Sequence, residues 1–600
     1  MNLSDYVLKF LEEKKVNNVF TITGGAICFL MDAFSRNKNM TYTSVAHEQA
    51  AAMMADSYSR LGPNFSATMV TSGPGATNLL TGIACSWFDS IPSLHICGQV
   101  NRHELSNFDK STKKVRQVGF QETDIVSMAK PITKFAYQLK NENEIRYVLE
   151  KAYYISQSGR PGPVLIDIPM DLQRKKIIPA KLKSFYIKKK EVKKQKLIRQ
   201  ISEIIKNFKK SKRPVIIIGG GVRISKTIKD LSIFLKKFNI PLVTTWSGVD
   251  SITHDTKSYM GNVGVYGSRP ANFVVQNSDF VLSLGTRLDT RITGGVPKNF
   301  AREAIIASVD IDKDELNKNR GLKINIKINE CLSDFFSYFK KASNNFIVDK
   351  PEWLQKSILW KKKYPMILDI HKRQKKYVNP YFFMEKLSKH LGKDDVVITD
   401  DGAHLTWTIQ ALKVLKNQRL FSAFGNSPMG YAFPASIGAS IALNKKKIIC
   451  IDGDGSIQIN IQELQTMVSN KLPVKIIIIN NDGYGIIKQF QELYLDKRHE
   501  AVDSKKGVTN PNFQKVARAY GIKYSEIKNN SNIDRVLKKA INSKNAEFIN
   551  VFVKPDQKIT PKLTFGSPLE DLSPQLSRDE FYENMIIKPV NKDKNLTESN

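Results

Sequence analysis

The sequence predicts an α/β protein of three doubly wound parallel-sheet domains. Short runs of isoleucine, valine and leucine, bounded by turn residues, recur along the chain. Such runs are the mark of strands buried on both faces. Between them lie longer stretches whose apolar residues return at helical spacing. A length of 600 residues suits three or four domains.

The elements follow in order. The opening SDYVLKFLEEKKVNNVF reads as an amphipathic helix capped by Ser4, with no apolar signal-peptide core. ATMVTSG, PSLHICGQV and PGPVLIDIP read as strands, and HEQAAAMMADSYSRL as a helix, giving a first unit over residues 1–175. The lysine-rich run Arg174–Lys196 reads as a solvated linker. RPVIIIGGGV, IPLVTTW, FVLSLG and IIASVDID mark strands of a second unit, 197–343. A charged connector, Asn344–Lys375, leads to a third unit over 376–555. Residues 556–600 read as a surface arm, with disorder expected after Pro589. The three units are candidates for one shared plan.

A net charge of +35 raises nucleic acid as a partner. The lysines are spread along the whole chain, and no stacking-aromatic RNA signature accompanies them, so none is expected. No apolar run is long enough to span a membrane. A soluble cytoplasmic protein is the expectation. The five cysteines lie in or beside apolar stretches without a CxxC pair, which favours buried free thiols.

The stretch from Gly453 to Asp482 carries the chemistry. KKIICID and VKIIIIN are buried-type strands, and Ile461, Leu464, Met467 and Val468 recur between them at helical spacing. A βαβ unit of this kind makes the strands parallel. Asp454 and Asn481 then lie just past two carboxyl strand ends, where open α/β sheets bind ligands. Two hard oxygen donors there suit Mg²⁺, which completes its octahedron with water and substrate phosphates. Gly453 and Gly455 would let a diphosphate approach the backbone, and the helix start at Ser456 favours negative charge. A lone GDG would equally be a plain turn with an aspartate cap; the paired turns are more specific.

With these motifs assembled, the sequence resembles the thiamine-diphosphate-dependent enzymes. More closely, it is similar to the catalytic subunits of acetohydroxyacid (acetolactate) synthases. The resemblance runs through VFTITGGAICFLMDAF, HEQAAAMMADSYSR, TSGPGATNLLTGIA, GRPGPVLIDIP, MGYAFPASIGA and GDG…NND. It implies a pyrimidine domain and a diphosphate domain flanking a central domain. It also implies the decarboxylation of pyruvate, with transfer of the two-carbon unit to a second 2-keto acid in branched-chain amino acid biosynthesis.

What the resemblance assigns can be set beside the bland readings. Glu48 matches the glutamate that activates the cofactor; alone, it would equally be an acidic residue at a helix start. Met429 matches the bulky residue that bends the cofactor, and a core methionine competes with it. His404, in TDDGAHLTW, matches a diphosphate-contacting histidine, while Ala403 stands where glutamine is usual. Gly453, Gly455 and Ser456 belong to the diphosphate loop. Gly483 would lend a carbonyl to Mg²⁺ beside Asp454 and Asn481. Gln121, in GFQETDIV, matches an active-site glutamine, and Phe120 and Lys130 lie nearby.

In the family, the glutamate and the metal loop come from different subunits. A homodimer or homotetramer with interfacial sites is therefore implied, and a small regulatory subunit is a further candidate partner. GGGV around Gly220, Arg160, Arg287 and Asp310 fall in stretches resembling flavin-binding segments, implying bound FAD in a structural role.

The match departs at GIIKQFQ, where Ile486 replaces a methionine and Phe490 a tryptophan linked to acceptor choice. Donor chemistry is thus better marked than the acceptor. Transfer to a keto-sugar or another carbonyl stands as the rival, with a flavin-dependent pyruvate oxidase and a nucleic-acid binder behind it.

Overall fold

The structure, a computed structural model, describes residues 1–62, 65–108, 115–187, 194–318, 320–343 and 346–590. The expected disorder after Pro589 and part of the lysine-rich linker lie outside these residues.

Three six-stranded sheets organise the chain, and every pairing within them is parallel. The first runs Thr41–Ser44, Asn18–Ile22, Ser66–Val70, Ser93–Gln99, Val164–Pro169, Phe135–Gln138. The third repeats that order as Arg419–Phe421, Val396–Thr399, Ile448–Gly453, Lys475–Asn480, Glu547–Phe552, Lys523–Ile527. The middle sheet differs. It runs Tyr259–Asn262, Leu242–Thr244, Pro214–Ile218, Phe280–Leu284, Ile305–Asp310, Ile326–Asn329. Taking the strands of this sheet in chain order, that is 3-2-1-4-5-6, the dinucleotide-binding order. One plan shared by all three units therefore does not hold; the outer two share it.

The helix Glu48–Leu61 explains its own composition. Residues Ala50–Tyr58 are buried throughout, so the helix has no solvent face over that stretch. Two glycines let neighbours close on it. A Cβ at Gly82 would lie 2.4 Å from Ala52 Cβ, and one at Gly438 would lie 2.2 Å from the Met54 carbonyl oxygen. Gly438 belongs to the helix Ala432–Ala442 of the third unit, so the first and third units share one core. Ser57 Oγ donates to the Ala435 carbonyl at 2.6 Å, and Tyr431 donates to Asp56 at 2.5 Å. Arg60 pairs with Asp56 at 2.6 Å and Asp89 at 2.8 Å across the same buried seam.

Several expectations are corrected. The opening helix is Leu3–Glu13 with Asn2 as its cap, because Ser4 is buried and donates to the Gln173 carbonyl. The lysine-rich run is anchored, since Ile177 and Leu182 are buried in the first core. The charged connector contains the helix Pro351–Lys363. Its Trp353, Leu354, Ser357 and Trp360 fall at helical spacing and are buried, while the lysines take the outer face. Cys85, Cys97 and Cys450 are buried free thiols, whereas Cys28 is exposed and Cys331 half-buried. No described helix is long and apolar enough to cross a membrane.

The arm stitches units together. Tyr381 donates to the Thr560 carbonyl at 2.6 Å, and Gln489 pairs its amide with Ile559 at 2.9 and 3.1 Å. Further on, Glu570 pairs with Arg302 at 3.0 Å, and Asn584 accepts from Trp360 Nε1 at 2.7 Å.

Candidate active site

The third sheet reverses its winding between Val396–Thr399 and Ile448–Gly453, and the polar residues gather at the carboxyl ends there. The strand register sets Gly453 beside Ile479, so Asp454 and Asn481 emerge at one edge. Asp454 Oδ2 accepts from Gly483 N at 2.9 Å and from Asn510 Nδ2 at 2.7 Å. The Gly483 carbonyl takes the Gly485 amide at 3.1 Å, which leaves one of its two lone pairs. Burial pushes the Asp454 carboxyl up to about 6. Asn481 is 7 % exposed, yet its Nδ2 has no partner among the described residues. A buried carboxylate held against its own desolvation fits a divalent cation, and the Asn481 amide, whose nitrogen end is unspent and whose two ends interchange by a flip, can add its side-chain oxygen as a second ligand.

His404 stands at the same edge. Its ring lies between two glycine turns: Cβ atoms at Gly402 and Gly453 would come within 2.7 and 2.8 Å of its Cε1. Burial lowers it to about 3, so it is neutral, and its buried Nε2 has no partner among the described residues. It therefore offers a neutral contact to an anion, in keeping with a diphosphate.

Two aspartates that sequence reasoning missed complete the edge. Ligand atoms of Asp400, His404 and Asp452 all lie within 4.8 Å of one another. Asp400 accepts from Gly430 N at 2.9 Å and Ala432 N at 2.6 Å, and so fixes the turn that carries Met429. Burial and the neighbouring Asp452 hold Asp400 well above the usual carboxylate range. The signals were the first aspartate of TDDG and that of IDGDG.

The glycines of the turn also serve the protein's own packing. The space a Cβ would take at Gly455 is filled by the Tyr484 ring at 2.3 Å, and that at Gly453 by His404 and Ser456. These glycines admit protein side chains. Ser456 starts a 3-10 turn, Ser456–Asn460, and its hydroxyl is spent on Asp452 and Gly453 N.

Glu48 is buried at the start of its helix, behind the His47 cap. Asn78 Nδ2 donates to its Oε2 at 2.9 Å. A Cβ at Gly75 would lie 3.4 Å from its Oε1. The same TSGPGA turn receives Gln121, whose Cβ would meet one at Gly73 at 2.9 Å. Gln121 has φ +64°, a left-handed conformation uncommon outside glycine. Glu48 and Gln121 thus flank one turn, while Phe120 projects 86 % exposed beside them and Lys130 starts a separate 3-10 turn. Ala403 is buried as the first residue of the helix Ala403–Ala411.

The flavin candidates also cluster. Gly220 and Arg287 follow Pro214–Ile218 and Phe280–Leu284, the adjoining strands where the middle sheet reverses direction. Asp310 ends the next strand, and burial pushes its carboxyl up to about 6. Arg160 reaches over from the first unit to Asp312 at 3.1 Å and Glu315 at 3.0 Å. Lys318 joins Glu315, at 2.6 Å, to the Arg287 carbonyl. The residues and strand order fit a dinucleotide. Arg160, however, is largely committed to carboxylates, and Gly219 and Gly221 pack against Gly285.

Phe490 is 40 % exposed and stands 4.9 Å from Tyr494 and 5.8 Å from Phe565 of the arm, between ring centroids. Arg291, also unforeseen, sits 5.0 Å from the Trp246 ring and 5.4 Å from the Tyr266 ring.

Comparison with known proteins agrees with this arrangement. The thiamine pyrophosphate enzyme N-terminal TPP binding domain matches residues 1–128, the central domain 201–335 and the C-terminal TPP binding domain 400–551. The chain is 34% identical over 573 residues to the acetolactate synthase large subunit of Cyanidium caldarium, covering 93% of this chain and 94% of that one. It is 31% identical over 564 residues to the large subunit of Lactococcus lactis, covering 94% of both. To acetolactate synthase 2, chloroplastic, of Nicotiana tabacum it is 30% identical over 580 residues, covering 95% of this chain and 84% of that one.

Proposed function

The chain belongs to the thiamine pyrophosphate enzymes, among the acetolactate synthase large subunits, and from this we propose how its residues serve a decarboxylating carboligase. The activity is thiamine-diphosphate-dependent decarboxylation of pyruvate, with the two-carbon unit passed to a second 2-keto acid, giving an acetolactate-type product in branched-chain amino acid synthesis. The observation that carries the site assignment is the buried Asp454 carboxylate beside the buried Asn481 side chain at two adjoining strand ends.

Bound thiamine diphosphate supplies a carbon centre that stabilises a carbanion. Asp454, Asn481 and the Gly483 carbonyl hold Mg²⁺, and neutral His404 contacts the diphosphate. Asp400 fixes the turn that presents Met429. Glu48, steadied on Oε2 by Asn78, keeps Oε1 available to hold the proton shared with the coenzyme's aminopyrimidine. Gln121 lines the substrate side. Gly220, Arg287 and Asp310 hold FAD in a structural role, since the reaction has no net redox step. Arg160 joins the first and middle units beside it. Two copies of the chain, as a dimer or within a tetramer, complete each site, and a small regulatory subunit is the further partner.

Glu48→Gln is the test: CO₂ release from pyruvate is abolished while circular dichroism is unchanged. Undiminished turnover in that variant refutes the role. One observation keeps a second acceptor in play. Phe490, where the resemblance has a tryptophan linked to acceptor choice, is part-exposed and packs with two other aromatic rings, so a keto-sugar acceptor is the alternative. Mass spectrometry of products from labelled pyruvate, with and without a keto-sugar, separates the two.

A further inference from the structure

The short segment after the metal turn reaches two other functional turns of the same chain, the one that carries Met429 and the one that leads into Glu48. Asn460 Nδ2 donates to the Gly430 carbonyl at 2.7 Å, next to Met429. Glu463 opens the helix Glu463–Ser469 and is fully buried. Its Oε1 accepts from Ala46 N at 3.0 Å and from His47 N at 2.9 Å. Its Oε2 accepts from Thr466 Oγ1 at 2.7 Å, which fixes the rotamer. The two backbone donors immediately precede Glu48.

This is an unusual use of a carboxylate. The N–H groups of Ala46 and His47 lie just ahead of the helix Glu48–Leu61, on residues that are themselves exposed and half-buried. Glu463 satisfies both from another unit of the same chain, and charge-assisted bonds of this kind are the strong ones. The contacts end next to Met429 in one direction and next to Glu48 in the other.

We propose that Glu463 is a positioning residue that aims Glu48, tying the glutamate to the segment that carries the metal turn. Glu463 touches neither substrate nor coenzyme. It sets where the first helical turn begins, and so where the Glu48 carboxyl stands. The proposal rests on the role given above to Glu48. A displacement of about 1 Å at a catalytic group costs on the order of 100-fold in rate. The loss should therefore fall on turnover and leave coenzyme affinity almost untouched.

The test uses the full-length holoenzyme and three variants. Glu463→Ala removes the clamp, Glu463→Gln keeps one acceptor, and Thr466→Val frees the carboxylate to rotate. The expected kcat losses are graded, about 100-fold for Ala and smaller for Gln and Val. Thiamine diphosphate and Mg²⁺ affinities, measured by titration, stay within about threefold. Two readouts report position independently of turnover: exchange of the coenzyme C2 proton into deuterated water slows, and amide exchange at Ala46 and His47 quickens. If Glu463→Ala fails to fold, the other two variants carry the same test. Wild-type kcat and C2 exchange in both Glu463→Gln and Thr466→Val overturns the proposal. So does a loss confined to coenzyme affinity. If Glu48→Gln is itself fully active, the role of Glu48 has failed rather than its positioning.

Discussion

Gly438→Ala tests the packing that holds the site together. The added Cβ would stand 2.2 Å from the Met54 carbonyl oxygen, 2.6 Å from Ser57 Oγ and 2.7 Å from Met54 Cα. Ordinary contact needs about 3.5 Å, so the helices must part by roughly 1 Å. Two of the three atoms are backbone and cannot swing aside. Overpacking of this kind costs about 1–3 kcal/mol, offset by up to about 1 kcal/mol from the better helix propensity of alanine. A net loss of about 1–2 kcal/mol lowers Tm by roughly 3–6 °C, measured by calorimetry. The parted helix begins with Glu48, so kcat should fall about tenfold or more. Gly295→Ala, where a Cβ meets nothing within 4 Å, is the control and should change neither. A Gly438→Ala protein with full turnover and Tm within about 1 °C of wild type would refute the reasoning.

Asp454→Asn should weaken Mg²⁺ binding at least 100-fold by calorimetric titration. Yet it should raise the metal-free Tm at pH 8, because burial lifts the Asp454 carboxyl to about 6 and its charge costs stability above that. Asp167, fully buried in the first unit, is raised to about 7 chiefly by desolvation. Its folded value exceeds its unfolded one, so its stabilising effect is full below about pH 4 and is lost as pH rises through 7. Asp167→Asn should flatten Tm between pH 4 and 8, removing a slope worth on the order of 4 kcal/mol. Trp360→Ala strips the arm of its Asn584 bond and a buried ring, and should cost about 3–5 kcal/mol in denaturant unfolding. Phe490→Trp enlarges the acceptor wall and should shift the product ratio between competing 2-keto acids by about tenfold, read by mass spectrometry.

The strands were legible because their isoleucine runs are buried on both faces, and the metal turn because two strand ends had to meet there. The acids of the site were only half legible. Asp400 and Asp452 act on backbone N–H groups and on each other, and no spacing rule announces such partners. The close packing at Gly453 and Gly455 was hidden for a related reason. The side chains that need their space, His404 and Tyr484, arrive from other segments. The middle sheet's different strand order was hidden too, since the local pattern of strand, turn and helix is the same in all three units. The helix Pro351–Lys363 was masked by its lysines, although its tryptophans kept helical spacing.

The arm has a consequence for biosynthesis. Arg302, Asn277 and Trp360 find their partners on Glu570 and Asn584, which leave the ribosome long after them. Until then the middle unit presents an unfinished surface to the crowded cell. Chaperone dependence of the nascent chain should therefore persist until the arm emerges, and a stall just before it should yield a protease-sensitive intermediate.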